Sequence, residues 1–359
     1  MMCENIADGG AAQVVDLRSD FVARPTPAMV EAMLRAARQP CGFGLREDTI
    51  VADLENRAAE VIGKDDALFV PTCTMANQIA LHIHCRPGEL FVTEAYAHVV
   101  TSESAATAAL SGAMPKMLPA QAGALDLDAL RDSLRHSDAQ HPRPAAVAQE
   151  NTHVRSGGRV VPTAHMTAIY DIASSQEVPV HLDGARIFNA AVASGIPARD
   201  IAMTCDTVSF NLNKGLGAPL GAILAGPDGF IAEAVRIRQM FGGGWRPAGI
   251  VAAAGIVALE TMIERLHIDH TTARQLANGL SSQPTLSIDK SQVESNIVLA
   301  RPDTMRPETL AAALEREGVL VLPFGDDVRL VTHHEITENA VEITLKAFHS
   351  VLSGASHGP

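Results

Sequence analysis

Short apolar runs, separated by polar turn residues, alternate with segments of helical periodicity along most of the chain. This alternation is typical of βαβ units, in which parallel strands are joined by helices. It therefore predicts an α/β fold with a mainly parallel sheet. The segments that carry the pattern are residues 67–70, 75–85, 90–92, 124–134, 145–148, 178–182, 207–212 and 222–225.

The first predicted helix has a recognisable start. Thr26 can cap it, and Pro27 can occupy its first turn, where the missing backbone N–H loses no helical hydrogen bond. The helix is expected at 28–38. The apolar stretch at 14–17 precedes it, and we expect the fold to begin there, after a loose leader of small and polar residues at 1–13.

The pattern changes in the last third of the chain. An Ala-rich segment at 249–266 predicts one long helix that links two parts of the protein. Beyond it, apolar runs at 296–300, 319–322 and 328–332 predict strands, and 340–352 predicts a closing helix. We therefore expect a small second domain of α+β type.

The size of the chain also favours two domains, because 359 residues exceed what one hydrophobic core usually holds. The composition, with 47% hydrophobic and 19% charged residues, is that of a folded globular protein. We predict a flexible leader at 1–13, a large domain at 14–260 and a small C-terminal domain at 261–359.

Charge and cysteine content narrow the class of protein. The net charge of −13 disfavours a nucleic acid or an anionic membrane surface as partner. The five cysteines are scattered and form no Cys-x-x-Cys pair, which favours free thiols in a reducing compartment. No run approaches the roughly 18 apolar residues of a membrane span. We therefore expect a soluble, cytoplasmic protein.

Two charged residues stand directly after apolar strands. Asp183 follows the run at 178–182, and Lys214 follows the run at 207–212. In open α/β sheets ligands bind beyond the carboxyl ends of the strands, so the two side chains would face one cleft. Pyridoxal phosphate needs both, a lysine for its aldehyde and an acid for its pyridine nitrogen. Each residue alone has an ordinary role, on the surface or as a helix cap, and the prediction depends on the pair.

A candidate phosphate site lies at 70–77, where a strand passes through a short polar turn into a helix. The N–H groups and the positive dipole end of a helix start attract anions. A phosphate could rest on the backbone of Cys73 and on Thr74, whose hydroxyl adds a donor. The alternative is an ordinary threonine N-cap without a ligand.

Several short motifs follow one another along the chain: DLRSD at 16–20, ALFVP at 67–71, ENTH at 150–153, HLDGARIFNAAV at 181–192, KGLGAP at 214–219 and GGGWR at 242–246. With these motifs the chain resembles the threonine aldolase family of fold-type I pyridoxal-phosphate enzymes, within their β-eliminating lyase branch. The resemblance spans about residues 14–270, with a weaker match at 328–333.

The resemblance implies a fold and a reaction. The large domain would have the fold of aspartate aminotransferase, fold type I, and the small domain would be α+β. The protein would be a carbon–carbon lyase of amino-acid metabolism that cleaves L-threonine, L-allo-threonine or a related β-hydroxy-α-amino acid into glycine and an aldehyde. It would use pyridoxal 5′-phosphate and form a homotetramer with active sites between subunits, without a nucleic acid or membrane partner.

The resemblance also implies which residues bind the cofactor. Lys214 would hold it covalently, Asp183 would pair with its pyridinium nitrogen, and His98 would lie against its ring. Arg246 would reach the phosphate bound by a neighbouring subunit. A histidine held by the backbone and an ordinary surface arginine are the structural alternatives for His98 and Arg246. The expected cofactor-binding set is completed by Cys73, Thr74 and Arg186.

Three residues would hold the substrate carboxylate according to the resemblance, namely Ser19, Arg186 and Arg329. Arginine suits this task because its planar fork can bind a carboxylate at two points. The base that takes the proton of the β-hydroxyl stays open between His98, His141 and an ordered water.

The chain departs from the family pattern in a loop at 45–50, where Leu-Arg-Glu-Asp-Thr-Ile stands for a sequence like Tyr-Gly-Asp-Asp-Pro-Thr. Cys73 also replaces a usual glycine. That loop usually approaches the substrate, so its change leaves open a homologue that binds the cofactor without catalysis. Other fold-type I reactions, a β-elimination or a glycine transaldolase reaction, are the remaining alternatives.

A metal motif is suggested by His82, His84 and Cys85. Residues two apart on a helix point about 200° apart, however, so the two histidines cannot share an ion. We therefore predict no metal site.

Overall fold

The computed structural model of the protein describes residues 14–135, 140–283 and 285–355, so the predicted leader at 1–13 lies outside the described residues. The strands are β1 (Val15–Asp16), β2 (Asp66–Val70), β3 (Leu90–Glu94), β4 (Met114–Leu118), β5 (Ala120–Gln121), β6 (Ala124–Leu125), β7 (Pro144–Glu150), β8 (Val180–Asp183), β9 (Thr207–Asn211), β10 (Ala222–Gly226), β11 (Leu286–Ser287), β12 (Ile297–Pro302), β13 (Val319–Leu320), β14 (Leu322–Phe324) and β15 (Asp327–Val331).

The helices are α1 (Pro27–Ala36), α2 (Thr49–Ile62), α3 (Cys73–His84), α4 (His98–Thr101), α5 (Ala106–Ser111), α6 (Leu127–Ser133), α7 (Thr163–Ser174), α8 (Ile187–Ser194), α9 (Ala198–Ala202), α10 (Asp228–Met240), α11 (Gly249–Thr261), α12 (Leu266–Leu280), α13 (Pro307–Arg316) and α14 (Glu338–Ala355). Within the described ranges, none of them is both long and apolar enough to cross a membrane. Thr26 caps α1 as predicted, since its side chain accepts the Met29 N–H at 3.3 Å.

Seven strands of the described chain form the central sheet, in the order β2, β10, β9, β8, β7, β3, β4. Neighbours run parallel except at β10, which is antiparallel to both β2 and β9. This confirms the predicted α/β fold with a mainly parallel sheet. The register sets the carboxyl ends of three central strands side by side, with Asp183 between Glu150 and Ser209.

Both faces of the sheet are covered by helices, and the alternation of side chains along each strand explains how. On β2, Phe69 packs with the residues of α2 and α11. Its neighbours Leu68 and Val70 point the other way and pack with α3 and α10. The period of two residues therefore gives β2 two buried faces, and its sequence is a continuous apolar run.

A second hydrophobic core contains the C-terminal sheet, in the order β11, β12, β15, β14, together with α13 and α14. The first strand belongs to this core as well, because β1 pairs with β13 and both Val15 and Leu17 are buried there. The prediction that assigned residues 14–260 to the large domain therefore needs correction at this strand. A short apolar run does not reveal its partner when that partner lies about 300 residues away.

The long helix predicted at 249–266 is α11, which ends at Thr261; a turn at 262–265 then separates it from α12. Helix α11 is packed against α1 and the first core, which accounts for its apolar sequence. Helix α12 begins in the first core at Leu266 and ends in the second core at Leu280. The break redirects the chain from one core to the other, and the apolar content of the segment does not reveal it.

Candidate functional site

Asp183 lies at the carboxyl end of β8, and the residues around it fix its carboxylate. Its Oδ1 accepts the N–H of Ala185 at 3.0 Å, across the sharp turn that follows the strand. Its Oδ2 accepts Nδ2 of Asn77, from α3, at 2.8 Å. N–H donors on both oxygens stabilise a carboxylate. Asp183 is therefore prepared to pair with a cation at this edge of the sheet.

Lys214 lies in the turn that follows β9, and it is half-buried. The two glycines after it have left-handed backbones, with φ of +63° at Gly215 and +75° at Gly217. Other residues adopt this conformation only at a cost, so the turn depends on glycine. The Gly-Leu-Gly sequence that the prediction singled out therefore shapes the chain around Lys214.

The charge of Lys214 acts on two other buried groups. Burial raises the pKa of the Asp20 carboxyl, but Arg186 and Lys214 outweigh it and the pKa falls to about 2. Burial and Asp183 raise the pKa of the Cys73 thiol, while Lys214 opposes this rise. Lys214 therefore lies close enough to both Asp20 and Cys73 to influence their pKa values.

His98 stands at the start of α4, beside Asp183. Its Nδ1 is 2.9 Å from Oε1 of the buried Glu103, and its backbone N–H donates to Glu150 Oε2 at 2.7 Å. A nitrogen of His98 and an oxygen each of Glu103 and Asp183 come within 4.8 Å of one another. Burial lowers the pKa of His98, but the contact with Glu103 and the nearby Asp183 outweigh it, so the pKa lies above its usual value.

The start of α3 lies on the same side of the sheet. Thr72 caps the helix by accepting the Met75 N–H at 3.1 Å, which leaves Cys73 and Thr74 in the first turn. The Cys73 thiol is 3.4 Å from Ser209 Oγ on β9. The positive end of α3 therefore points toward the carboxyl edge where Asp183 lies, as an anion site there requires.

Two of the three predicted carboxylate-binding residues contact Asp20, which the sequence prediction did not include. Arg186 donates Nε and Nη2 to the two oxygens of Asp20 at 2.8 and 2.6 Å. The Ser19 hydroxyl lies 3.3 Å from Asp20 as well, and Asn296 donates to it at 3.1 Å. Arg186 is therefore already paired inside its own chain, and Nη1 is the amino group that this ion pair does not use.

Arg329, the third predicted residue, lies on β15 and is mostly buried. Its Nη2 donates to the Arg18 carbonyl at 3.1 Å, and its guanidinium carbon is 4.9 Å from the centre of the Phe324 ring. Burial and the nearby Arg186 lower its pKa to about 10. Its Nε is buried and has no acceptor among the described residues. A buried N–H of a cation without an acceptor is a natural place for a carboxylate.

His141 and Arg246 do not join this group within one chain. His141 is exposed in the loop before β7, whereas the site lies beyond the other end of that strand of 7 residues, about 20 Å away. His141 therefore does not reach the site of its own chain. Arg246 is exposed and lies over the Phe43 ring at 5.8 Å. His141 can act at such a site only if the site belongs to a second copy.

Residues of the altered loop at 45–50 bind other residues of the large domain. Arg46 forms a two-point ion pair with Asp66 at 2.7 and 2.9 Å and a further pair with the buried Glu55 at 3.0 Å. The carbonyl of Leu45 accepts from Arg238 at 2.7 Å. The residues that depart from the family pattern thus have internal partners of their own.

His82 and His84 have different partners, as the helical geometry predicted. His82 Nδ1 is 3.3 Å from Ser111 Oγ, and His84 Nε2 is 3.0 Å from Thr207 Oγ1. Their nitrogens serve as hydrogen-bonding groups on two sides of α3.

Sequence reasoning missed the residues that hold the site residues in place. They are polar, nearly fully buried, and lie inside or beside the motifs that drew attention to their neighbours. Polar residues within otherwise apolar strand and helix segments are the signal that could have found them. The missed residues are Asp20, Asn77, Glu103, Glu150, His181 and Asn296.

Known proteins resemble this chain in sequence. A family model described as beta-eliminating lyase matches residues 16–303. The low-specificity L-threonine aldolase 1 of Arabidopsis thaliana is 35% identical over 347 residues, which are 94% of this chain and 96% of that protein.

Solved structures resemble it in fold. The threonine aldolase of Leishmania major superposes with a TM-score of 0.81 at 20% identity, over 94% of this chain and 99% of that one. A serine palmitoyltransferase variant of S. paucimobilis with a bound pyridoxal phosphate–myriocin aldimine gives a TM-score of 0.76 at 17% identity, over 96% and 88% of the two chains. These neighbours confirm the fold-type I prediction.

Proposed function

The chain belongs to the β-eliminating lyase family and, within it, to the threonine aldolases, and on that premise we propose that it cleaves β-hydroxy-α-amino acids. The substrates would be L-threonine, L-allo-threonine or a related compound, and the products glycine and an aldehyde. One observation carries the proposal: Asp183 and Lys214 follow the neighbouring parallel strands β8 and β9 at one edge of the sheet. Arg329 adds a buried N–H without an acceptor in the described chain.

Pyridoxal phosphate is the cofactor that these residues fit. Lys214 would hold its aldehyde, Asp183 its ring nitrogen, and the first turn of α3, at Cys73 and Thr74, its phosphate. The fit is supported by the two N–H donors that stabilise Asp183 as a carboxylate. When bound, the cofactor supplies an acceptor for the electron pair of the broken carbon–carbon bond.

The substrate carboxylate would bind at Arg329. The unused Nε makes a charge-assisted hydrogen bond, and the neighbouring Arg186 adds positive charge without leaving Asp20. Ser19 lies beside that pair and can donate its hydroxyl.

His98 is the residue of this chain best placed to take the proton of the β-hydroxyl. Glu103 holds Nδ1, which leaves Nε2 to face the substrate. A neutral ring with its proton on Nδ1 can accept at Nε2, and the Glu103 carboxylate stabilises the cation that results. An ordered water is the remaining alternative within one chain. His141 could act only from a second copy.

A homotetramer with active sites between subunits, in the cytoplasm, completes the proposal. Exposed aromatic residues support an assembly, because Phe43 is 89% and Tyr96 is 65% exposed. Tyr96 is close to His98 in the chain, and Phe43 lies beside Arg246. Arg246 would then reach the phosphate of a neighbouring subunit.

The decisive experiment compares the wild type with Lys214→Ala after incubation with pyridoxal phosphate. We expect a visible absorbance band of lysine-bound cofactor in the wild type alone. We also expect acetaldehyde and glycine in equal amounts from L-threonine or L-allo-threonine. A band without any aldehyde would refute the aldolase function. The absence of a band would also refute the assignment of pyridoxal phosphate as the cofactor.

The same assay separates the alternatives. A β-elimination would yield ammonia and an oxo acid instead of glycine. A transaldolase would consume an added aldehyde without accumulation of free glycine. A homologue without catalysis would bind the cofactor and release no product.

A further inference from the structure

Asn77 is 1% exposed, and its side chain reaches two carboxylates. Its Nδ2 donates one hydrogen to Asp183 Oδ2 at 2.8 Å and the other to Glu103 Oε1 at 2.9 Å. A carboxylate can only accept, so these two contacts identify the nitrogen end of the amide. Asn77 thus links the acid at the end of β8 to the partner of His98.

The amide oxygen of Asn77 is used as fully as its nitrogen. It accepts the Ser209 hydroxyl at 2.7 Å and lies 3.0 Å from His181 Nε2. An amide oxygen can only accept, so His181 carries its proton on Nε2. All four hydrogen-bonding positions of Asn77 are therefore occupied.

The direction of the next two hydrogen bonds follows from the one that His181 donates to Asn77. Burial lowers the pKa of His181 to about 3, so its ring is neutral and its Nδ1 is an acceptor. Thr207 Oγ1, 3.0 Å away, donates to it and in turn accepts from His84 Nε2, also at 3.0 Å. Each member of this donor chain donates to the next, in the order His84, Thr207, His181 and Asn77.

The donor chain directs the positive ends of its dipoles toward Asp183 and Glu103. Dipoles act strongly in a buried place, because water does not screen them. The four members are uncharged near neutral pH, so none of them competes as a cation for Asp183. A lysine or arginine in the position of Asn77 would compete with a protonated ring nitrogen for the same carboxylate.

We propose that Asn77 is a positioning residue for the reaction. It keeps Asp183 and Glu103 as oriented carboxylates. It thereby couples Asp183, which would pair with the ring nitrogen of the cofactor, to His98, which would lie against the cofactor ring. The three other members of the donor chain orient Asn77. This inference deepens the proposed function and rests on it.

Asn77→Asp tests the inference, because it keeps the shape of the side chain and replaces the N–H donors by oxygen. A third carboxyl beside two carboxylates must keep a proton, which it shares with Asp183 or Glu103. We expect kcat for L-threonine to fall roughly 10- to 100-fold, as for other outer hydrogen-bond partners, with KM nearly unchanged. The visible band of the bound cofactor should shift. Wild-type kcat and an unshifted band would overturn the proposal.

Two variants on the same helix are matched controls. Gln78→Leu removes the other amide partner of Glu103, at 2.7 Å, and does not touch Asp183, so it should keep the wild-type band and cofactor affinity. His82→Gln changes a residue that contacts Ser111 and should keep wild-type kcat. If Gln78→Leu shifts the band as Asn77→Asp does, the effect comes from general damage to α3 and the proposal fails.

A readout without cofactor separates this inference from the proposed function. The buried Nε2–H of His181 should give a slowly exchanging downfield proton resonance, which is lost in His181→Phe and displaced in Asn77→Asp. A resonance that Asn77→Asp leaves in place overturns the direction of the donor chain. The wild type could show the resonance but neither bind pyridoxal phosphate nor cleave threonine. That result would refute the proposed function and, with it, the positioning role. The hydrogen bonds of the donor chain would still be confirmed.

Discussion

Arg186 and Asp20 form a buried two-point ion pair, with Nε and Nη2 at 2.8 and 2.6 Å from the two carboxylate oxygens. The guanidinium that the family resemblance assigns to the substrate carboxylate thus already binds a carboxylate of its own chain. Asp20 orients Arg186, whereas the buried Nε of Arg329 has no acceptor among the described residues. The two arginines therefore have different parts in the proposed substrate site.

Asp20→Asn should destabilise the protein strongly, because it leaves the buried Arg186 without its counter-charge. We expect the free energy of unfolding to fall by about 3–5 kcal/mol in urea titrations. The exposed pair of Asp16 and Arg18 is the matched control, and Asp16→Asn should cost less than about 1 kcal/mol. Similar small losses in both variants would contradict a structural role for the buried pair.

Arg329→Gln should weaken substrate binding while the cofactor stays bound. A hydrogen bond to a charged group contributes about 1.5–3 kcal/mol, which corresponds to a loss of roughly 10- to 100-fold in kcat/KM for L-threonine. Arg155, whose guanidinium lies over the same Phe324 ring at 4.6 Å, offers the control Arg155→Gln. Equal losses in the two variants would mean that stacking on Phe324 explains the effect.

The activity should rise with pH through the pKa of His98. The base must be neutral, and Glu103 together with Asp183 holds the pKa of His98 above its usual value despite burial. Activity should therefore be low where the ring is protonated and reach its plateau above the raised pKa. In Glu103→Gln the acid limb of the kcat profile should move to lower pH, and His98→Phe should lose about 10²- to 10⁴-fold in kcat. An acid limb that Glu103→Gln does not move would exclude His98 as the base.

Acid should destabilise the fold through three buried histidines. Burial lowers the pKa of His84 to about 4, of His181 to about 3 and of His270 to about 4. The unfolded chain takes up these protons near pH 6.5 and the folded chain only at lower pH. Stability is therefore complete above pH 6.5 and falls as the pH drops toward 4, by up to about 1.4 kcal/mol per pH unit for each histidine.

Urea titrations at a series of pH values measure this slope. His270→Gln removes one of the three groups and should make the decline shallower. A slope equal to that of the wild type would show that His270 does not contribute.

The sequence predicted the residues whose position depends on local pattern. Asp183 follows an apolar strand and Lys214 follows the next one, and parallel strands bring such ends to one edge. The helix start at Cys73 is local in the same sense, because a strand, a capping threonine and a helical period stand in a row.

The contacts that orient these residues could not be predicted, because they join distant segments. Asn77 and Asp183 are 106 positions apart, and Asp20 and Arg186 are 166 positions apart. Nothing in the spacing of a polar residue reveals which carboxylate it meets after folding. The break between α11 and α12 was missed for a similar reason, since it serves the passage between two cores.

The pairing of β1 with β13 has a consequence for synthesis. Val15 meets Val319, which is 304 positions later (319 − 15), and a ribosome that adds 5–20 residues per second needs about 15–60 s to cover that distance. The central sheet is complete in the emerging chain by Gly226, whereas Asn296, which donates to Asp20, and Arg329 on β15 are synthesised later. During translation, the side of the site that faces the cofactor can therefore form before the side that faces the substrate.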